Sequence, residues 1–224
     1  MLILAVDTSG KGGSIALVEF EQGNARTLEV VPLEGGTFSA QLVPQISDIL
    51  SRHQLSKRDI DGFTVVSGPG SFTGLRVGLA AIKALAEVLQ KPIAAVSLLE
   101  AVARACGRDG ELTAVLDAGR GEVYVAHCQI SASQATITDQ QLLTLAEFVS
   151  ANDERLVVTP DVKIADFVRG KGLRVLQIDR PRADTVARLG FEKIQAGEII
   201  SPEALDANYI RRSDAEVRKP VPQM

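Results

Sequence analysis

Two cysteines and two histidines are the chain's whole supply of thiol and imidazole metal ligands, and no two of them are suitably spaced. Cys106 and Cys128 form no CxxC pair, which excludes a zinc ribbon. Both stand in apolar stretches and read as core thiols, and so low a count fits a reducing cytosol. His53 closes a polar helix end and His127 lies in an alternating strand, neither with a partner at ligand spacing. Neither HExxH nor a GxSxG elbow occurs, so no self-sufficient hydrolytic site is visible. Positive charge is short as well: 24 Lys and Arg stand against 28 Asp and Glu, a net charge of −4. A free-standing nucleic-acid binder carries a basic footprint. If this chain serves an RNA, another protein is expected to hold it. Long apolar runs are missing too: none reaches the roughly 18 residues of a membrane span. The opening MLILAVDTSGKGG lacks the basic flank of a signal peptide, and its apolar run is short. The expectation is a cytoplasmic protein with no membrane span.

What is present suits a globule. The chain has 224 residues, enough for one large domain or two small ones with a sizeable core. Leu2–Val6, Ser14–Phe20 and Thr27–Leu33 read as strands, the first as a buried one. Ser39–Ser51 carries Leu42, Val43, Ile46, Ile49 and Leu50 at helical spacing, with Pro44 expected near its start, where a missing N–H costs least. Phe63–Ser67 is a strand, Gly68–Thr73 a glycine-rich loop, Gly74–Leu89 an apolar helix, Pro92–Val96 a strand and Leu98–Cys106 a helix. The pattern then restarts. Thr113–Leu116 and Glu122–Ile130 read as strands, followed by helices at Leu143–Ser150 and Val162–Arg169 beside strands at Leu156–Thr159 and Arg174–Ile178. Asp184–Ala196 reads as a helix with Asp184 as N-cap. The tail from Ser213 is polar, carries two prolines and reads as frayed.

The restart suggests duplication. Ile3-Leu4-Ala5-Val6-Asp7-Thr8-Ser9-Gly10 parallels Thr113-Ala114-Val115-Leu116-Asp117-Ala118-Gly119, a buried strand ending in Asp and small residues. An Asp at a strand end before hydroxyls and glycines can approach a phosphate or a hydrated metal, and it can equally cap a turn. Two such loops face to face would bracket a nucleotide. The densest motif is Ser67-Gly68-Pro69-Gly70-Ser71-Phe72-Thr73-Gly74, between a strand and a helix. That is the place for an anion at a helix N-terminus or for a tight turn. It is not a Walker A loop, because no Lys-Ser/Thr follows the glycines. The nucleotide candidates are therefore Asp7, Thr8, Ser9, Gly68, Gly70, Ser71, Thr73 and Asp117.

The following helix is apolar nearly all round. Arg76, Lys83 and Glu87 form one narrow stripe. Leu75, Leu79, Ile82 and Ala86 line one flank, and Val77, Ala81, Ala84 and Val88 the other. Such a helix is either deeply buried or buried on two sides, by the sheet and by a neighbouring helix or another chain. Gly74 and Gly78 add a close-approach groove. The candidate interface is Leu75, Gly78, Leu79 and Ile82 with Leu42, Ile46 and Ile49; which row faces the sheet is left open by the sequence.

The segments Ser67–Leu79 (SGPGSFTGLRVGL), Pro92–Ala101 (PIAAVSLLEA), Ile3–Ser9 (ILAVDTS), Leu116–Tyr124 (LDAGRGEVY) and Asn208–Arg211 (NYIR) closely resemble the TsaB (YeaZ) family. The resemblance spans roughly residues 1–211 and is loosest from Ser131 to Arg182. It implies an α/β fold of two ribonuclease-H-like lobes of the actin-like ATPase superfamily, the second reduced. The expected division is 1–106 (completed by 200–213), 107–199 and a flexible 214–224. It also implies a non-catalytic role. A TsaD-type subunit transfers threonylcarbamoyl to the adenosine beside the anticodon, position 37, of tRNAs reading codons that begin with A. A TsaE-type ATPase assists, this chain supports the reaction, tRNA is met only indirectly, and a homodimer forms in isolation. TsaD relatives carry a His-x-x-x-His metal pair where this chain has Leu98 and Val102, so no metal or intrinsic cofactor is expected. A weak or interfacial ATP or ADP contact stays open. Phe38 stands where many members have His. The rival reading is a stand-alone ATP-dependent phosphotransferase using Asp7 and Asp117.

Overall fold

The computed structural model describes residues 1–131, 134–151, 155–208 and 210. The first half runs β1 (Leu2–Asp7), β2 (Gly12–Glu21), β3 (Asn24–Glu34), α1 (Phe38–Arg52), β4 (Gly62–Gly68), α2 (Phe72–Leu89), β5 (Ile93–Ser97) and α3 (Leu98–Arg104). The second runs β6 (Gly110–Gly119), β7 (Glu122–Ser131), β8 (Gln134–Thr144), α4 (Leu145–Ala151), β9 (Leu156–Thr159), α5 (Val162–Gly170), β10 (Val175–Gln177) and α6 (Ala183–Gln195). The order of strands and helices is the same twice over. So is the pairing: the sheets read β3-β2-β1-β4-β5 and β8-β7-β6-β9-β10. In each, the first strand pairs antiparallel with the second and parallel with the fourth. The duplication inferred from the two strand–Asp units is thus a duplicated topology. Among the described residues, no helix is long and apolar enough to cross a membrane.

β1 is buried along its whole length, Leu2 to Asp7, because helices cover both faces of its sheet. That is why its sequence is a continuous apolar run rather than an alternating one. α1 and α2 cover one face. The other face is covered by α6, which packs on β1, β2, β4 and β5. Phe191 of α6 stacks on Phe20 of β2 with ring centroids 4.0 Å apart. Gly190 lets the helix settle on β4, since a methyl there would overlap the Thr64 side chain. Reciprocally, α3 packs mainly on β6, β7 and β8. Each half therefore lends its last helix to the other sheet, and one hydrophobic core runs from Leu2 to Leu205. The expected division at 106/107 and 199/200 follows chain order, and two helices cross it. By packing, 183–195 belongs with the first sheet and 98–104 with the second. Ile200 bridges Ile93, and the Asn208 N–H donates to the Ser67 carbonyl at 2.7 Å. The expected tail, 214–224, lies outside the described residues.

Three local readings change. β8 has no counterpart in the sequence reading, because its edge position leaves most of its residues polar and exposed. Pro44 sits inside α1, which starts at Phe38, not near its beginning. It lies on the solvent side with Ala40, whose carbonyl it cannot meet, so water can satisfy that group. Asp184 is not the N-cap of α6; Arg182 holds that place, without a side-chain cap bond.

Candidate functional site

The two strand-end aspartates close equivalent turns. Asp7 Oδ1 accepts the Ser9 N–H at 2.8 Å, and Asp117 Oδ1 accepts the Gly119 N–H at 2.7 Å. Each is an Asx turn, in which a carboxylate replaces the backbone partner two residues on. Asp7 also accepts the Ser9 hydroxyl and is only 2% exposed, whereas Asp117 is exposed. The structure thus supplies the turn-capping role for both.

The glycine-rich loop has its own partner inside the protein. The Ser71 N–H donates to the Ser9 carbonyl at 2.7 Å, and Ser71 Oγ caps α2 by accepting the Gly74 N–H at 3.3 Å. The Thr8 hydroxyl donates to the Gly74 carbonyl at 2.7 Å. A methyl on Gly70 would strike the Ser9 carbonyl, one on Gly74 the Thr8 carbonyl, and one on Gly78 the Thr8 hydroxyl. These glycines let α2 and the Pro69–Gly70 turn lie against the 7–9 loop. Gly78 is therefore a contact within the lobe, not a groove for a second helix. Gly68 adopts φ 135°, a region open to glycine, under the Asn208 carbonyl.

Asp7, Ser9, Gly70, Ser71, Thr73 and Asp117 all line one cleft between the lobes, about 1680 Å³ in volume. Thr8 and Gly68 sit beneath its wall, outside the lining. The far side brings in Arg180, from the crossover between β10 and α6. Its Nη2 donates to the Ser9 hydroxyl at 3.1 Å and lies over Gly10. The sequence reading missed Arg180, which is 171 residues from Ser9 along the chain and belongs to no periodic pattern.

The helix rows resolve differently from the expectation. Leu42, Ile46, Ile49, Leu75, Gly78, Leu79 and Ile82 are all buried within this chain, facing the first sheet. They cannot also form an interface. The outward face of α1 and α2 carries Val43, 59% exposed, Val88, 73% exposed, and the exposed Ala80 and Ala84 between charged residues. At the start of α2, Arg76 lies over the Phe72 ring, 3.7 Å from its centroid. Leu98 and Val102 are packed in the core, so no donor stands at that place. The other candidate ligands are engaged: His53 Nε2 is 2.9 Å from Glu29, and His127 Nδ1 is 3.1 Å from the Thr113 hydroxyl. Burial pushes the Cys128 thiol up to about 12, which keeps it protonated and inert.

The family model "TsaD: tRNA N6-adenosine threonylcarbamoyltransferase" matches residues 30–185. The tRNA threonylcarbamoyladenosine biosynthesis protein TsaB of Bacillus subtilis (strain 168) is 32% identical over 97% of this chain and 97% of its own. TsaB of Escherichia coli (strain K12) is 37% identical over 58% of this chain and 55% of its own. YeaZ from Pseudomonas aeruginosa superposes with a TM-score of 0.76, covering 93% of this chain and 99% of that one at 22% identity, a likeness of fold. The duplicated mixed sheets with exchanged helices are those of the actin-like, ribonuclease-H-like α/β fold. With a relative matched over nearly its full length, and the TsaD model matched across both lobes, the chain belongs to the TsaB (YeaZ) family of tRNA threonylcarbamoyladenosine biosynthesis proteins.

Proposed function

We propose that this chain acts by binding: it docks a TsaD-type catalytic subunit and supports transfer of threonylcarbamoyl to adenosine 37 of tRNAs that read codons beginning with A, without catalysing the step. The observation that carries this reading is the outward face of α1 and α2, where Val43 and Val88 stand exposed beside small residues. Small side chains let a partner helix approach to about 8–10 Å. A TsaD-type partner fits because the TsaD family model matches this chain across both lobes, and like lobes can pack by a pseudo-twofold arrangement. The non-catalytic reading is supported by Leu98 and Val102, whose buried aliphatic side chains offer no donor to a metal. A TsaE-type ATPase joins the assembly, tRNA is met through the partner, and a second copy takes the same face when the partner is absent.

The test is tRNA modification reconstituted from purified components with and without this chain, using Val43→Glu and Val88→Glu. Both variants should fold, since each position already faces solvent. Each should weaken capture of the TsaD-type subunit at least about tenfold, because an unpaired charge in an apolar interface is costly. Leu79→Glu and Ile82→Glu should instead unfold the lobe. Wild-type capture by both folded variants would defeat the docking face; ATP turnover or transfer by the lone chain would defeat the non-catalytic reading.

A further inference from the structure

We propose that the outward face of α5, in the second lobe, is an RNA-contacting surface: Lys163 and Lys171 take phosphates, and Phe167 stacks an unpaired base, of the tRNA that the partner holds. This deepens the docking role and rests on it, because the partner holds the tRNA and α5 adds a direct contact of its own.

The chain carries −4 in all, yet residues 162–174 hold Lys163, Arg169, Lys171 and Arg174 against one acid, Asp166. All five are exposed. This short stretch is therefore +3 in a chain whose other residues sum to −7. An acidic total excludes a basic protein, not a basic face. Asp166 is taken by Arg169 at 2.7 Å, while Lys163 and Lys171 have no ion pair among the described residues. Arg169 and Lys171 suit the C-terminal end of a helix dipole. Lys163 does not: it stands in the first turn, which has no acid, and there the dipole opposes a cation. Helix stability gives no reason for that lysine.

An aromatic ring stands between the two lysines. Lys163, Phe167 and Lys171 follow at four-residue spacing, which sets them along one side of the helix at about 6 Å per step. Phe167 is 36% exposed, while Ile164, Ala165 and Val168 are the residues that α5 buries in the lobe. Lys171 Nζ is 5.7 Å from the Phe167 ring centroid, a loose cation–π distance beside the 3.7 Å of Arg76 over Phe72. The ammonium can turn to a phosphate and leave the ring in place. Cations alternating with an exposed ring are what an unpaired RNA segment needs, phosphates on the charges and a base on the π-face. A bilayer would need a whole apolar helix face; α5 has spent its own on the lobe and keeps only Val162 and Phe167 outside. An acidic peptide would pair with the lysines and leave the ring unused.

The test follows an unmodified, fluorescein-labelled tRNA transcript that reads codons beginning with A, by anisotropy across a salt series. It is titrated with the TsaD-type subunit alone, with that subunit plus the full chain, and with the full chain alone. Adding the chain should tighten binding by the TsaD-type subunit. Lys163→Gln combined with Lys171→Gln should remove most of that gain, and should lower the slope of log K against log salt by about 0.7 per lysine. Phe167→Ala should weaken binding about fivefold or more with the slope unchanged, and Phe167→Tyr should retain it. Lys57→Gln, at an exposed lysine between α1 and β4, should bind as wild type. Circular dichroism confirms folding of each variant. The α5 variants should capture the TsaD-type subunit as wild type does, whereas Val43→Glu should not. The lone chain should bind weakly at low salt with the same dependence on Lys163 and Lys171, so failure here and failure of the docking reading remain distinct. An unchanged salt slope in the double lysine variant, an equal loss in Lys57→Gln, or loss of partner capture by the α5 variants, the mark of a protein interface, would overturn the proposal.

Discussion

Replacing Gly78 with Ala asks what the glycines around the SGPGSFTG motif are for. In an exposed helix interior, Gly→Ala stabilises by about 1 kcal/mol. Here the added methyl would meet the Thr8 hydroxyl, with the Val6 side chain at 3.5 Å and Thr8 Cβ at 3.6 Å as ordinary contacts. Overpacking costs roughly 1–3 kcal/mol. As the Thr8 hydroxyl is pushed aside, it also gives up its 2.7 Å bond to the Gly74 carbonyl, a further 0.5–1.5 kcal/mol or so. The net expectation is a loss of about 1–2 kcal/mol. Thr8→Ala alone should cost about 1 kcal/mol for the same bond. In the double variant the obstructing atom is gone and only ordinary contacts remain, so the helix-propensity gain offsets the lost bond and stability returns close to wild type. The coupling is then about 2–3 kcal/mol, or roughly 4–12 °C in Tm for a domain of this size. Gly74→Ala is the contrast. Its methyl would strike the Thr8 backbone carbonyl, so Thr8→Ala should not rescue it. Thermal and urea melts of the four proteins decide the matter. A Gly78→Ala variant as stable as wild type, or a double variant equal to the sum of the singles within about 0.5 kcal/mol, would refute the packing account and return the motif to ligand binding.

Hydrogen bonding to Arg52, with a further bond from His53, holds the Glu29 carboxyl below its usual value. A lowered folded value means stability present above the unfolded value and lost as pH falls through the folded one. Glu29→Gln should therefore cost less than about 1 kcal/mol at pH 7, since the group is screened by solvent, and the difference should vanish in acid; urea midpoints across pH check it. Burial raises the Glu100 carboxyl, and Lys193, 3.3 Å away, opposes that shift. Lys193→Ala should cost about 1–2 kcal/mol, below the 3–5 of a fully buried pair, and adding Glu100→Ala should recover most of it. A double variant no better than Lys193→Ala in thermal melts would sink that account.

Much of the architecture is local enough to be legible in the chain. Strands such as Leu2–Asp7 are continuous apolar runs because both faces are covered, and α1 and α2 show their buried rows at helical spacing. The duplicated strand–Asp unit follows from the same logic, since each Asp closes a turn two residues long. The SGPGSFTG motif identifies the family from sequence, because its glycines are set by a tight packing geometry that few other residues satisfy. What the sequence does not contain is direction and exchange. An amphipathic pattern states that one row is buried, not whether a sheet or a partner buries it, so Leu75, Leu79 and Ile82 read equally well as interface. Likewise, nothing in Ala183–Gln195 says that it crosses to the first sheet, and nothing near Arg180 says that its guanidinium reaches Ser9. Those contacts join residues 86 or more positions apart, since α6 begins at Ala183 and the first sheet's last strand ends at Ser97. They are chosen by which surfaces remain uncovered once both sheets have formed, a property of the assembled core rather than of any segment within it.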